Sequence, residues 1–92
     1  MKFEWDAEKA ALNLRKHGVA FEDAVLVFSD SGRIESYDER EDYGEDRWVT
    51  TGFVFSLLLS VAYTVRSEET IRIISARKAD PHEKKQYRDA NS

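Results

Sequence analysis

The chain has 92 residues, 41% of them hydrophobic and 35% charged, with no cysteine and a formal net charge of −4 at pH 7. That length makes a single domain spanning residues 1–92, and the balance of apolar and charged residues is that of a folded chain rather than a disordered one. The missing thiols exclude a disulfide scaffold and any thiolate metal site, the apolar run 52–65 is well short of the roughly 20 residues of a membrane-spanning helix, and no secretory leader pattern is visible. A cytoplasmic protein with no membrane contact is expected.

The charge is unevenly spread. Residues 22–46 carry ten Asp/Glu against two Lys/Arg, whereas residues 61–92 carry seven Lys/Arg against five Asp/Glu. The acidity belongs to a middle segment ending in "DEREDYGED", and the cations Arg72, Arg77, Lys78, Lys84 and Lys85 crowd into "IRIISARKADPHEKKQY". Net charge is therefore a poor guide to the partner, since a local cationic cleft draws an anionic ligand if the fold turns the acidic segment away.

In chain order, Asp6 is an N-cap, Ala7, Ala10, Ala11 and Leu14 fall at helical spacing, and Lys16, His17 and Gly18 make a C-terminal stop, which predicts a short first helix. Phe21, Ala24, Val25 and Phe28 at i, i+3, i+4 and i+7 predict a second, ending in the turn "SDSG". From Arg33 the period changes. "RIESYD" reads as a short strand, "DEREDYGED" as a loop, and "RWVTTGFVF", "LLLSVAYTVR" and "TIRIISA" as three further strands. Asp80, Pro81 and Glu83 then start a final helix, with Asp as cap and Glu three positions on. The expected fold is α+β: two N-terminal helices packed on an antiparallel sheet of about four strands, with a C-terminal helix.

Alternation in 57–66 puts Leu57, Leu59, Val61, Tyr63 and Val65 on one side, expected to be core under the helices. Ser60, Ala62, Thr64 and Arg66 share the other. That track of small residues leaves space for a ligand or for a third layer.

The stretches "FEWDAEKAALNLRKHGVAFEDAVLVFSD", "YGEDRWVTTG", "LLLSVAYTVR" and "IRIISARKA", followed by Glu83 and Tyr87, resemble the BrnT family of small bacterial ribonuclease toxins. The resemblance covers nearly the whole chain. It implies a RelE-like fold and a toxin of a type II toxin–antitoxin pair that cleaves RNA. It also implies neutralisation by a BrnA-like ribbon-helix-helix antitoxin, through which alone operator DNA would be engaged. One departure is "FVFSLLL", apolar where glycine or polar turn residues are expected between the central strands, so that the hairpin is longer there or its tip is covered by a partner.

Metal-free RNA cleavage needs a proton acceptor for the ribose 2′-OH, a donor for the leaving oxygen, and cations over the developing charge. Arg47, Arg66 and Arg77 are the phosphate-binding candidates, because guanidinium stays charged and grips phosphate with two parallel hydrogen bonds. The bland alternative is a set of ion pairs with the acidic loop. Imidazole is a common acid–base group, but His17 also reads as ordinary helix-end capping, and Lys16-His17-Gly18 belongs to the most recognisable block of the resemblance. Glu83 and Tyr87, one helical turn apart, either stabilise their helix or orient Arg77 and serve as acid or base. Trp5 and Trp48 have the chemistry to stack bases, with core packing as the alternative for Trp5. Arg72 has the opposite strand parity to Arg77 and is expected to face away. No cofactor is expected, since carboxylates are scattered rather than clustered for a metal. The alternatives to a nuclease are a noncatalytic RNA- or protein-binding module on the same fold, and a structural partner in a repressor complex whose acidic loop mimics nucleic acid.

Overall fold

The computed structural model describes residues 1–39 and 44–92, so the expected loop "DEREDYGED" lies partly outside the described residues. Asp6 caps the first helix as its chemistry dictates, its carboxylate accepting from the N–H groups of Glu8 and Lys9. Helix α1 runs over Ala7–His17 and ends where Gly18, at φ 71°, returns its N–H to the Leu14 carbonyl. Its inward side differs from the alanine stripe expected: Ala7, Ala11 and Leu14 are exposed, while Asn13 is buried. The reason is polar. The Asn13 carboxamide donates to the carbonyls of Ala76 and Val19 and accepts from the Ala76 N–H, so it ties α1 to a strand edge as a short strand would.

The second helical segment is one α-turn, α2 (Phe21–Ala24), continued by a 3₁₀ turn over Val25–Ser29. Its fully buried residues are Phe21, Ala24 and Val27. That is a period of three, the spacing of a 3₁₀ helix, and it puts Val27 rather than Val25 or Phe28 deepest.

Strands β1 (Lys2–Glu4), β2 (Ile34–Tyr37), β3 (Trp48–Val54), β4 (Leu57–Ser67) and β5 (Thr70–Lys78) form one sheet in the order β1-β5-β4-β3-β2. The sheet is mixed and five-stranded. β1, absent from the sequence reading, pairs parallel to β5, and the other neighbours are antiparallel. Three residues with one apolar side chain, Phe3, are too short to show alternation, and tertiary pairing alone makes them a strand. Helix α3 covers Pro81–Ala90 and begins with a complete capping box between Asp80 and Glu83.

One face of the sheet carries Leu59, Val61, Tyr63, Ile71, Ile73 and Ala76, which pack with Phe21, Ala24 and Val27 into the core. Leu57 and Val65, expected in that core, sit at its ends and are exposed. Phe28 stands edge-on to Tyr63 at 5.1 Å, and Trp5 edge-on to Phe21 at 5.9 Å, which makes Trp5 a packing residue. The other face receives α3, through Phe53 against Tyr87 and Arg77 against Glu83. Among the described residues no helix is long and apolar enough to cross a membrane.

Candidate active site

Strand register builds the site. Directly paired residues share a face, so Ile34, Thr51, Ser60 and Arg77 form one row across the sheet, and Ser36, Val49, Ala62 and Ser75 form the next. Between Ala62 and Tyr63 the β4–β5 register slips by one residue, leaving Ile74 of β5 as a bulge. Beyond it Thr64 faces Arg72, and Arg72 lies beside Glu4. The bulge therefore restores Arg72 to the face of Arg77, against the parity expected from counting residues. Rows on one face are about 7 Å apart, so Arg77 and Arg72 flank the small middle row on the same face.

Helix α3 covers the row of Arg77 and leaves the middle row open as a cleft of about 610 Å³, lined by Ser36, Tyr37, Asp38, Glu39, Val49, Arg77, Asp80 and Glu83. Arg77 and Glu83 meet in a two-pronged pair, Nη1 to Oε1 at 2.7 Å and Nη2 to Oε2 at 2.9 Å. Glu83 also accepts from the Asp80 N–H. Burial pushes its pKa up, but the Arg77 hydrogen bonds, the Asp80 N–H, the Ser60 hydroxyl and the Arg77 charge outweigh it and hold the carboxyl below the usual glutamate value. At neutral pH Glu83 is a carboxylate with its oxygens engaged.

The remaining predicted residues are dispersed around this pair. Arg47 enters β3 at the far end of the same face, its backbone carbonyl accepting from the Asp38 N–H and its Nε 3.3 Å from Glu45. Arg66 ends β4 in a neighbouring hollow with Glu45, Asp46, Trp48 and Thr64, and makes no ion pair with a described residue. Lys16 is exposed and His17 half-buried at the end of α1, and neither lines the cleft. Tyr87, expected beside Arg77, is turned to the other side of α3. Its hydroxyl donates to Asp30 at 2.7 Å, and that hydrogen bond first, then burial and the Asp30 charge, raise its pKa. Trp48 stands edge-on to Tyr37 at 5.0 Å, and Tyr37 lines the cleft.

Sequence reading missed Asp30. Its carboxylate accepts from the N–H groups of Phe53 (2.7 Å) and Gly32 (2.9 Å) as well as from Tyr87, while Asn91 donates to the Gly32 carbonyl. Burial opposes ionisation there, but these donors and Arg33 win and lower the Asp30 pKa. The "SDSG" turn thus clamps the end of α3, as Arg77 clamps its start. A second missed group lies on the core face, where Tyr63 and Arg33 both donate to Glu35 and Arg33 also reaches Thr50. The one signal for either group is an acidic or cationic residue beside an apolar stripe.

The profile of the family described as ribonuclease toxin, BrnT, of type II toxin–antitoxin system matches residues 5–83. The chain belongs to the BrnT family. Its structure is also similar to the 1.1 Å crystal structure of the Brucella abortus ribonuclease toxin BrnT, with a TM-score of 0.65 and 25% identity over 87% of this chain and 97% of that one. No curated protein matches. Membership of the BrnT family makes this a toxin-antitoxin ribonuclease toxin with a protein antitoxin as partner. The BrnT profile ends at Glu83, the carboxylate that holds Arg77, so the cleft falls within the matched span while Tyr87 and Asn91 fall beyond it.

Proposed function

We propose that the cleft cleaves RNA by metal-independent acid–base chemistry, and that a small BrnA-like ribbon-helix-helix antitoxin neutralises it. The observation that carries this reading is Arg77, gripped by Glu83 at the wall of an open cleft floored by Ser36 and Val49. A guanidinium gripped by a carboxylate stays charged and keeps a fixed orientation at the cleft wall, the property that phosphate recognition needs. Arg72, Arg47 and Arg66 lie around the cleft and are the candidates for flanking phosphates. In the reaction the 2′-oxygen attacks the adjacent phosphorus, its proton passes to an acceptor, and the 5′-oxygen leaves with a proton from a donor, giving a 2′,3′-cyclic phosphate. Glu83 is ionised and suits the positioning of Arg77, and Tyr87 is committed to Asp30 and suits the positioning of α3. His17 and Lys16 lie outside the cleft at the end of α1 and are given no proton step in it.

Purified protein is expected to cleave single-stranded RNA in excess chelator and to leave 2′,3′-cyclic ends or their hydrolysis products. Strict dependence on Mg²⁺ would sink the mechanism. Tight RNA binding without turnover would instead favour a noncatalytic module on this fold.

A further inference from the structure

The β3–β4 hairpin turns in two residues, Phe55 and Ser56, between the paired Val54 and Leu57. Phe55 occupies the first central position with φ 56°, a backbone region that glycine fills without cost and an aromatic residue does not. It is also 80% exposed. Local folding therefore gains nothing from this side chain, neither a relaxed turn nor burial. Beside it runs a groove of about 590 Å³ along the outer flank of α3, floored by Phe53, Leu57, Leu58 and Tyr87. Phe53 stands edge-on to Tyr87 at 5.2 Å, and Asp30 bonds both the Phe53 N–H and the Tyr87 hydroxyl, so the floor is held in place before anything binds. Lys78, Lys84 and Arg88 rim it. Unlike Lys85, which pairs with Asp89 at 2.6 Å, these cations make no ion pair with a described residue, in a chain whose net charge is −4.

We infer that this hairpin tip and groove are the docking surface for the toxin's protein antitoxin. The segment that docks is amphipathic and acidic, with apolar side chains against Phe53, Phe55 and Leu57 and carboxylates against Lys84 and Arg88. The inference rests on membership of a toxin–antitoxin family and not on the chemistry of the cleft, from which α3 separates the groove. Charge complementarity selects an acidic occupant, and the apolar floor selects protein over RNA, which has no aliphatic side chains to bury there. An exposed aromatic on a rigid tip is the kind of side chain that anchors an interface.

The test uses the toxin and the antitoxin encoded beside it, purified from their co-expressed complex. Phe55→Gly relieves the turn, so the free toxin is expected to melt at the same or a higher temperature while releasing the antitoxin at least about 30-fold faster, the scale of losing one hot-spot anchor. Phe55→Asn, which tolerates positive φ, is expected to behave alike. Lys84→Glu with Arg88→Glu is expected to slow association and to weaken its salt dependence. Unchanged antitoxin affinity in both Phe55 variants would overturn the inference. So would variants that bind antitoxin normally but lose affinity for RNA, since the groove would then be a nucleic-acid subsite. A wild-type protein that failed to cleave RNA would defeat the proposed chemistry while leaving the affinity measurements in force.

Discussion

A single guanidinium, Arg77, has two occupations, because it neutralises a partly buried carboxylate and faces a cleft. Removing it strands Glu83, so Arg77→Ala is expected to cost about 1–2 kcal/mol of stability as well as about 10²–10³ in cleavage rate, read by melting and by initial rates at one salt concentration. Arg77→Lys keeps charge near both partners and loses the two-pronged grip, so intermediate activity is expected. Full activity in a folded Arg77→Ala protein would remove it from the site. Arg72 is the sharper case, since the bulge at Ile74 turns it to the same face. Arg72→Ala is expected to weaken RNA binding and to lower the slope of log affinity against log salt by about 0.7, the share of one single-strand phosphate contact. An unchanged slope would assign Arg72 to its pair with Glu4, 3.9 Å away.

At the level of elements, α3 buries no residue and is held by polar clamps at its two ends. A change at the far clamp should therefore be felt in the cleft. At Gly32 an added Cβ would come within 2.5 Å of Asn91 Oδ1 and 2.9 Å of the Tyr87 hydroxyl. Gly32→Ala is accordingly expected to displace the end of α3 and to lower cleavage several-fold, with increased proteolysis at the C-terminus as the structural readout. Wild-type rates with an intact α3 would show that the clamps are independent. The Asn13 bonds set α1 against β5 in the same way. Asn13→Ala would leave the Ala76 N–H and carbonyl unpaired in a buried place and is expected to cost about 2–4 kcal/mol, measured by denaturant unfolding.

For the whole molecule, the titrating groups set both ends of the pH range of stability. Asp30, Glu35 and Glu83 each have a pKa lowered from their ordinary values of 3.8, 4.5 and 4.5, with burial opposed by their donors. Stability from them is present above those values and is lost as pH falls through the lower folded-state pKa. Tyr63 has the opposite sign. Burial first, then its bond to Glu35, raises its pKa well above the ordinary 10.0, so its share is present below pH 10 and is lost as pH rises beyond it. Melting temperature is expected to be flat near neutrality and to fall on both sides, with Asp30→Asn flattening the acid limb. An acid limb unchanged by that substitution would show that Asp30 does not drive it.

Much of this molecule was legible from residue types at short range. Caps at Asp6 and Asp80, the stop at Gly18, the four longer strands and the turn to α3 are decided by neighbours within a few positions, where side-chain chemistry acts directly on the backbone. The same holds for Arg77 and Glu83, brought together by a strand end and a capping box six residues apart. What tertiary structure alone decided depends on pairing between distant segments. β1 is a strand only because β5 offers it an edge, and Asn13 is a core residue only because that edge continues past β1. Arg72 shares a face with Arg77 only because one residue bulges. Tyr87 turns to Asp30, 57 positions away, rather than to the arginine nearby. Short-range chemistry can name a side chain and its element, but a one-residue slip in register reverses the face it shows, and register is set by the whole sheet.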